Sequence, residues 1–253
     1  RHAIYAVNHV SFQLKQGETL AIVGLTAFVA GLVRGFAGFG GPALMMLVLT
    51  NFYTPLSVIP KVLVMDAVAG AHLIRDAFSE VEWGRVMCMS LGTVVAMPLG
   101  FVALYYIDPV AAKRLVAVVV AASTIAMFFG FRLKNALPGY VWCIAGFAAG
   151  FIIGLTGIAM LGMAFLFALP SDAKTSRANA VAWLVVGTPP MLLMHGFVGT
   201  LTLDDVWRAA LAGLVYMAGA HLGALRFRAS SEQLFRTVVM SVLLVLSFVG
   251  LAT

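Results

Sequence analysis

Residues 30–42 read AGLVRGFAGFGGP and lie at the centre of an apolar run that extends from about Leu20 to Thr50. A continuous helix of about 30 residues would be about 45 Å long, whereas the hydrocarbon core of a bilayer is about 30 Å thick. Inside a helix, glycine costs about 1 kcal/mol and proline about 3 kcal/mol. The sequence therefore predicts a broken helix, and broken backbone at membrane depth must be buried in protein or line a cavity.

The composition indicates a membrane protein. Of the 253 residues, 62% are hydrophobic and 10% are charged, whereas soluble domains contain about 25% charged residues. We therefore expect an all-α polytopic membrane protein with about eight hydrophobic segments. The net charge of +6 suits anionic lipid headgroups and an anionic substrate. Cys88 and Cys143 lie in apolar runs, so we expect buried thiols rather than a disulfide or a metal pair.

The broken segment occurs twice. Residues 147–158 (FAAGFIIGLTGI) align without a gap with residues 28–39 (FVAGLVRGFAGF). This predicts two repeated halves, residues 25–135 and 136–253, in which the first segment of each half is broken or re-entrant. Glycine-interrupted segments at matching positions of two halves are typical of a transporter's substrate site. Alternatively, the glycines allow helices to pack closely.

The first 24 residues differ from the rest of the chain. Residues 6–24 (AVNHVSFQLKQGETLAIVG) resemble the start of an ABC-transporter ATPase of the peptide-import type. That family continues into a phosphate-binding loop, but no GxxxxGK[ST] motif occurs anywhere in this sequence. Without the loop and its lysine, nucleotide binding has no residues to carry it. We therefore interpret residues 1–24 as a remnant without a phosphate-binding loop, and we expect no nucleotide partner.

The positive charges of the loops favour re-entrant broken segments. Eight complete crossings would distribute the loop arginines and lysines almost evenly between the two sides. With re-entrant segments, most of them fall on one side, against only Lys113, Arg114 and Arg208 on the other. Because positive loop residues concentrate in the cytoplasm, we favour inverted repeats. Parallel repeats with eight complete crossings remain the alternative.

Three charged residues within the apolar runs are candidates for function. Arg34 lies at a depth where a charge costs at least about 2.5–3.5 kcal/mol, so it is a candidate ligand for the substrate. It could also be the structural partner of Asp66, and the two roles are compatible. Asp66 could be a proton-coupling carboxylate if it is unpaired in a dry site. Lys61 either binds the ligand or reaches the interface, and Arg177 occupies its place in the second half.

Glycine breaks leave backbone N–H groups and helix N-termini that favour an anion. We therefore expect a substrate site at the two breaks. Its candidate substrate-binding residues are Arg34, Gly35, Gly38, Phe39, Gly40, Gly41, Lys61, Gly154, Thr156, Gly157 and Asn179.

The sequence contains no motif for several other functions. No motif pairs a nucleophile with a base, so we expect no catalytic residues and no enzyme activity. No HExxH motif or Cys/His cluster indicates a metal, and we expect no cofactor. No basic face with interleaved aromatic residues indicates nucleic-acid binding.

Residues 30–42, their weaker echo at residues 149–158 and the short hydrophilic hinges before Trp83 and Trp207 resemble the sulfite exporter TauE/SafE family, also called the toluene sulfonate uptake permeases. The resemblance extends from about Leu25 to the C-terminus. It implies a secondary transporter, without ATP, for sulfite, sulfonates such as sulfoacetate, or related organic anions. It also implies a multi-pass protein of the bacterial inner membrane, with a homodimer as a possible assembly.

Together these features predict proton-coupled transport by alternating access, with the anion bound between the two breaks. Three alternatives stay open at this point: a passive anion channel, a membrane subunit of an ABC system, and a sensor that binds an anion without transporting it.

Overall fold

The computed structural model describes residues 16–37, 40–71, 78–129, 137–227, 241, 243–248 and 250. These ranges contain helices and no strand, which confirms the all-α fold. The helices are α1 (Gln16–Ala37), α2 (Gly41–Leu49), α3 (Pro55–Gly70), a 3₁₀ helix (Phe78–Glu80), α4 (Trp83–Tyr106), α5 (Pro109–Phe128), α6 (Gly139–Thr156), α7 (Met160–Ala168), α8 (Ala173–Phe197) and α9 (Leu203–Phe227).

Four of the described helices are long and apolar enough to cross a membrane: α4, α5, α6 and the Lys174–Phe197 part of α8. A shorter apolar segment, Ala21–Gly35, lies within α1. Residues 16–24, the last part of the segment that resembles an ATPase, form the start of α1. The preceding residues 1–15 lie outside the described part of the chain.

Both glycine-rich runs are broken, as the sequence predicts. The first long helix ends at Ala37 and the short helix after it begins at Gly41. In the second half, α6 ends at Thr156 and α7 begins at Met160, the positions that align with Ala37 and Gly41. Both short helices have nine residues. Each break uses a left-handed glycine, Gly40 at φ 87° and Gly157 at φ 70°, because a side chain at positive φ is strained.

Each break is the tip of a helical hairpin. In the second hairpin, Trp142 near the start of α6 stacks edge-on against Phe165 of α7, with ring centroids 5.8 Å apart. In the first hairpin, a Cβ atom added to Gly41 would lie 3.0 Å from the carbonyl oxygen of Ala30. The short helices therefore run back along the long ones. Helices of nine residues are about 13 Å long, so each covers only part of its longer neighbour.

The long helix of each hairpin packs against a helix of the other half. A Cβ atom on Gly35 of α1 would lie 1.8 Å from the carbonyl oxygen of Ala220 in α9. A Cβ atom on Gly150 of α6 would lie 2.3 Å from the carbonyl oxygen of Thr93 in α4. Such distances leave no room for any side chain, so these backbones touch directly. For the glycines inside the long helices, the structure supports the close-packing interpretation.

Three helices begin at one end of the bundle, which we call the Trp83 end. The first turns of α4 and α6 are joined there through Cys88 and Cys143. Asn179, near the start of α8, hydrogen-bonds to Glu82 just before α4. The α6–α7 hairpin therefore enters the bundle from the Trp83 end.

The opposite end is the Asp205 end. Lys61, near the start of α3, lies 3.4 Å from Asp205 at the start of α9. Further along the two helices, Gly213 of α9 lies against Met65 of α3, so α3 and α9 run in the same direction. Gly219 of α9 packs on the backbone of α1, and α1 runs in this direction too. The α1–α2 hairpin therefore enters from the Asp205 end.

The expectation of two free thiols was wrong. Cys88 of α4 and Cys143 of α6 form a disulfide, and their Cα atoms are 5.0 Å apart, within the range that disulfides require. The cause is the glycine-mediated contact between α4 and α6, since Gly92 packs on the backbone of Cys143 itself. The two cysteines are 55 residues apart in the sequence, so their positions in the chain did not indicate that they face each other.

The glycine contacts predict a specific sensitivity of the fold. We expect Gly150→Ala to destabilise the protein by about 1–3 kcal/mol, the usual cost of overpacking a filled interface. The measurement is the thermal unfolding midpoint of the purified protein in detergent.

Gly84→Ala in the first turn of α4 is the matched control, because a Cβ atom there would meet nothing within 4 Å. Equal midpoints for the two variants would contradict the proposed backbone contact.

Candidate functional site

The two hairpin tips meet at a cavity of about 500 Å³. The first hairpin contributes Arg34, Gly35, Gly40, Pro42 and Ala43, and the second contributes residues 157–160, Met163 and Phe167. The remaining lining residues come from α3, α8 and α9. Both halves of the chain therefore form the cavity, as expected for a site between two related repeats.

Two helix N-termini lie at this cavity. The N-cap residues of α2 and α7 are Gly40 and Ala159, and neither helix receives a side-chain hydrogen bond at its start. The first backbone N–H groups of a helix have no partner within the helix, and they carry the positive end of its dipole. Both breaks therefore present donors and partial positive charge to a ligand in the cavity.

An ion pair forms one wall of the cavity. Nη1 of Arg34 in α1 donates a hydrogen bond to Oδ1 of Asp66 in α3. The hydroxyl of Tyr216 in α9 donates to the same oxygen at 3.1 Å, and the guanidinium lies 5.9 Å from the Tyr216 ring centroid. Only 16% and 17% of the two charged side chains is exposed. The pair ties three helices together, and its charges cancel.

This pairing bears on the roles considered for Arg34 and Asp66. Arg34 is the structural partner of Asp66, and as a cavity-lining residue it also remains available to a ligand through its other N–H groups. Proton coupling through Asp66 depended on an unpaired carboxylate. In the structure this carboxylate has a cation and a hydroxyl as partners, so that condition is not met.

Arg177 is the charged lining residue that the candidate set omitted. It lies in the second turn of α8 with an exposed side chain. It forms no ion pair or hydrogen bond with any residue in the described part of the chain. A guanidinium stays protonated at any physiological pH, so Arg177 adds to the cavity lining a positive charge that no described residue pairs with. Its correspondence to Lys61 was visible in the sequence, but its lack of a partner was not.

Several candidate residues lie outside the cavity. Lys61 pairs with Asp205 and donates to the carbonyl of Ser57 at 3.0 Å. Asn179 is buried, and its side chain exchanges two hydrogen bonds with Glu82, at 2.9 and 3.0 Å. Both residues therefore connect helices of different halves rather than facing the cavity.

The remaining candidates near the breaks have structural roles or are not described. Thr156 donates to the carbonyl of Ile152 at 2.8 Å and accepts from the N–H of Ile158, which closes the end of α6. Gly154 packs on α4, and Gly41 packs against the hydroxyl of Tyr216. Gly38 and Phe39 lie outside the described residues.

The cavity extends towards the Trp83 end. Its lining comes from the later part of α3, the early part of α8 and the later part of α9, and it includes Arg177 and His221 with exposed side chains. At the Asp205 end, the Lys61–Asp205 pair and the buried His195 fill the space. The His195 ring packs 4.8 Å from Phe101, and its Nδ1 lies 2.7 Å from the Thr200 hydroxyl.

Comparison with known proteins gives one match. The sequence model of the family described as "Sulfite exporter TauE/SafE" matches residues 23–249, nearly the whole chain. No curated protein and no solved structure matches the sequence significantly.

The Arg34–Asp66 ion pair in the cavity wall predicts a measurable coupling energy between the two residues. We expect Arg34→Leu or Asp66→Leu alone to destabilise the protein by about 3–5 kcal/mol, because each leaves a largely buried charge without its partner. The double variant should be more stable than either single variant, since it leaves no unpaired charge. Thermal unfolding of the four proteins in detergent measures the coupling; additive effects would contradict it.

Proposed function

The chain belongs to the sulfite exporter TauE/SafE family of membrane transporters, and on this premise we propose that it carries sulfite or a small sulfonate across a bacterial inner membrane. The observation that supports this substrate class best is Arg177, which pairs with no residue in the described ranges, in a cavity that also contains two uncapped helix N-termini. An anion can bind in such a cavity without ATP.

The proposed anion is held by three kinds of donor. The planar guanidinium of Arg177 can give two parallel hydrogen bonds to two oxygens of a sulfite or sulfonate group. Further donors come from the first turns of the two short helices: in α2 the N–H groups other than that of Pro42, which has none, and in α7 the N–H groups that follow Ala159. Because Asp66 cancels the charge of Arg34, the cavity carries one net positive charge from these arginines, which suits an anion of low charge.

We further propose that the two halves are inverted repeats that alternate access to this site. Matching helices run in opposite directions: α1 and α3 begin at the Asp205 end, whereas their counterparts α6 and α8 begin at the Trp83 end. The cavity is closed at the Asp205 end by Lys61, Asp205 and His195. We take the Trp83 end as cytoplasmic, because most loop arginines and lysines fall on that side.

Closure at one end supports a carrier over a passive channel, which needs a continuous path through the bundle. In this proposal, the opposite state forms when the contacts at the Asp205 end separate and new contacts close the Trp83 end. Coupling of the anion to protons is part of the same proposal.

Flux through purified protein tests the anion site. We expect Arg177→Ala to lower the uptake of radiolabelled sulfite or sulfoacetate into proteoliposomes by about tenfold or more, because charge-assisted hydrogen bonds contribute about 1.5–3 kcal/mol. Arg177→Lys should retain an intermediate rate, since it keeps the charge but loses the two-pronged geometry.

Arg208→Ala is the control for this experiment. It also removes one arginine, but Arg208 is exposed and pairs with Asp204 on the outer face of α9, so flux should stay at the unaltered level. Equal flux in Arg177→Ala and Arg208→Ala would place the anion elsewhere.

Accessibility from the two sides tests the closed end. In a Cys88→Ser, Cys143→Ser background, which removes both native cysteines, a Thr188→Cys substitution places one reactive thiol in the cavity lining. An impermeant maleimide should label it in inverted vesicles and much more slowly in spheroplasts. Adding Lys61→Ala should raise labelling in spheroplasts by about two- to fivefold, the population shift expected from losing a partly exposed ion pair. Fast labelling from both sides without that substitution would favour the channel.

A further inference from the structure

One side chain in the described cavity lining, His221, is available to bind and release a proton. Among the described lining residues, the charged or titratable side chains are Arg34, Asp66, Arg177 and His221. The first two are bound to each other, and the arginines do not release protons at physiological pH. Histidine is the side chain whose charge ordinarily changes between about pH 5 and 8.

The position of His221 suits exchange of a proton with water and with the site. Its neighbour Ala220 is fixed against the backbone of Gly35, at the cavity end of α1. The His221 side chain itself is exposed and lines the cavity on the side of the Trp83 end. In the part of the chain that the structure describes, it forms no hydrogen bond or ion pair. A proton can therefore reach the imidazole without breaking an existing contact.

The groups that face this cavity from the surrounding helices define its charge. Arg34 comes from α1, Asp66 from α3 and Arg177 from α8, and the Tyr216 hydroxyl on α9 is engaged with Asp66. With a neutral His221, the sum is one positive charge. With a protonated His221, the sum is two positive charges, which strengthens the attraction for an anion.

We propose that His221 is the protonation site that couples proton movement to anion transport, an inference that rests on the proposed transport function. Binding of a proton to the imidazole raises the affinity for the anion, and by thermodynamic linkage the anion raises the affinity for the proton by the same factor. Anion and proton then bind and leave together, and both move in the same direction. Two other ionisable groups near the cavity are already engaged: Asp66 with Arg34, and His195 with Thr200 at the Asp205 end.

The test separates exchange from coupling. Proteoliposomes are assayed with radiolabelled sulfoacetate in two ways: exchange at equal pH on both sides, and accumulation driven by a pH gradient. We expect His221→Gln to behave like the unprotonated protein: exchange of sulfoacetate should need a higher concentration for its half-maximal rate, and gradient-driven accumulation should fall by about tenfold, within the usual range of coupling between two ligands. We also expect exchange by the unaltered protein to depend on pH, and exchange by His221→Gln to lose that dependence.

Each outcome distinguishes the coupling from the transport proposal. Undiminished accumulation in His221→Gln overturns the role of His221, and a selective loss in Asp66→Asn would transfer that role to Asp66. If His221→Gln also loses exchange, His221→Arg decides, because a permanent charge should give pH-independent exchange, and pH-dependent exchange contradicts the proposal. An unaltered protein that neither exchanges nor accumulates sulfoacetate or sulfite refutes the transport proposal, and with it this inference.

Discussion

Direct backbone contact between helices of opposite halves is the constraint on which the arrangement depends. Within a membrane, apolar side chains gain little by leaving lipid for protein, so association relies on close packing. Here the packing is backbone against backbone: Gly35 of α1 lies on Ala220 of α9, and Gly150 of α6 lies on Thr93 of α4. These backbone contacts fix the long helix of each hairpin to the opposite half.

This exchange of partners places the two tips together. Since the hairpins enter from opposite ends and each is held by the other half, the left-handed Gly40 and Gly157 reach the same cavity. The Arg34–Asp66 pair, with Tyr216 as a third partner, then ties α1, α3 and α9 around it. A charged pair at this depth serves two purposes, because it joins three helices and removes its own charge from the site. Among the described residues that line the cavity, Arg177 is then the remaining charged side chain.

The same geometry assigns different tasks to residues that look equivalent in sequence. Lys61 and Arg177 occupy corresponding regions of the two halves, but Lys61 joins α3 to Asp205 while Arg177 faces the cavity. This asymmetry fits the proposed carrier, in which Lys61 and Asp205 contribute to closing one end. In an alternating carrier, the two halves exchange such roles.

The sequence by itself determined the membrane class, the two breaks and their repetition. The apolar runs are too long for one crossing, and glycine and proline are unfavourable inside a helix. The membrane class and the two helix breaks therefore follow from local composition. It also supplied the family, because the motif at residues 30–42 is local. Only the tertiary structure decided which charges are paired, that Cys88 meets Cys143, and that Arg177 and His221 line the cavity while Asn179 and Thr156 do not. These facts depend on contacts between residues that are far apart in the chain. The spacing of residues along one helix does not indicate which other helix that helix will pack against.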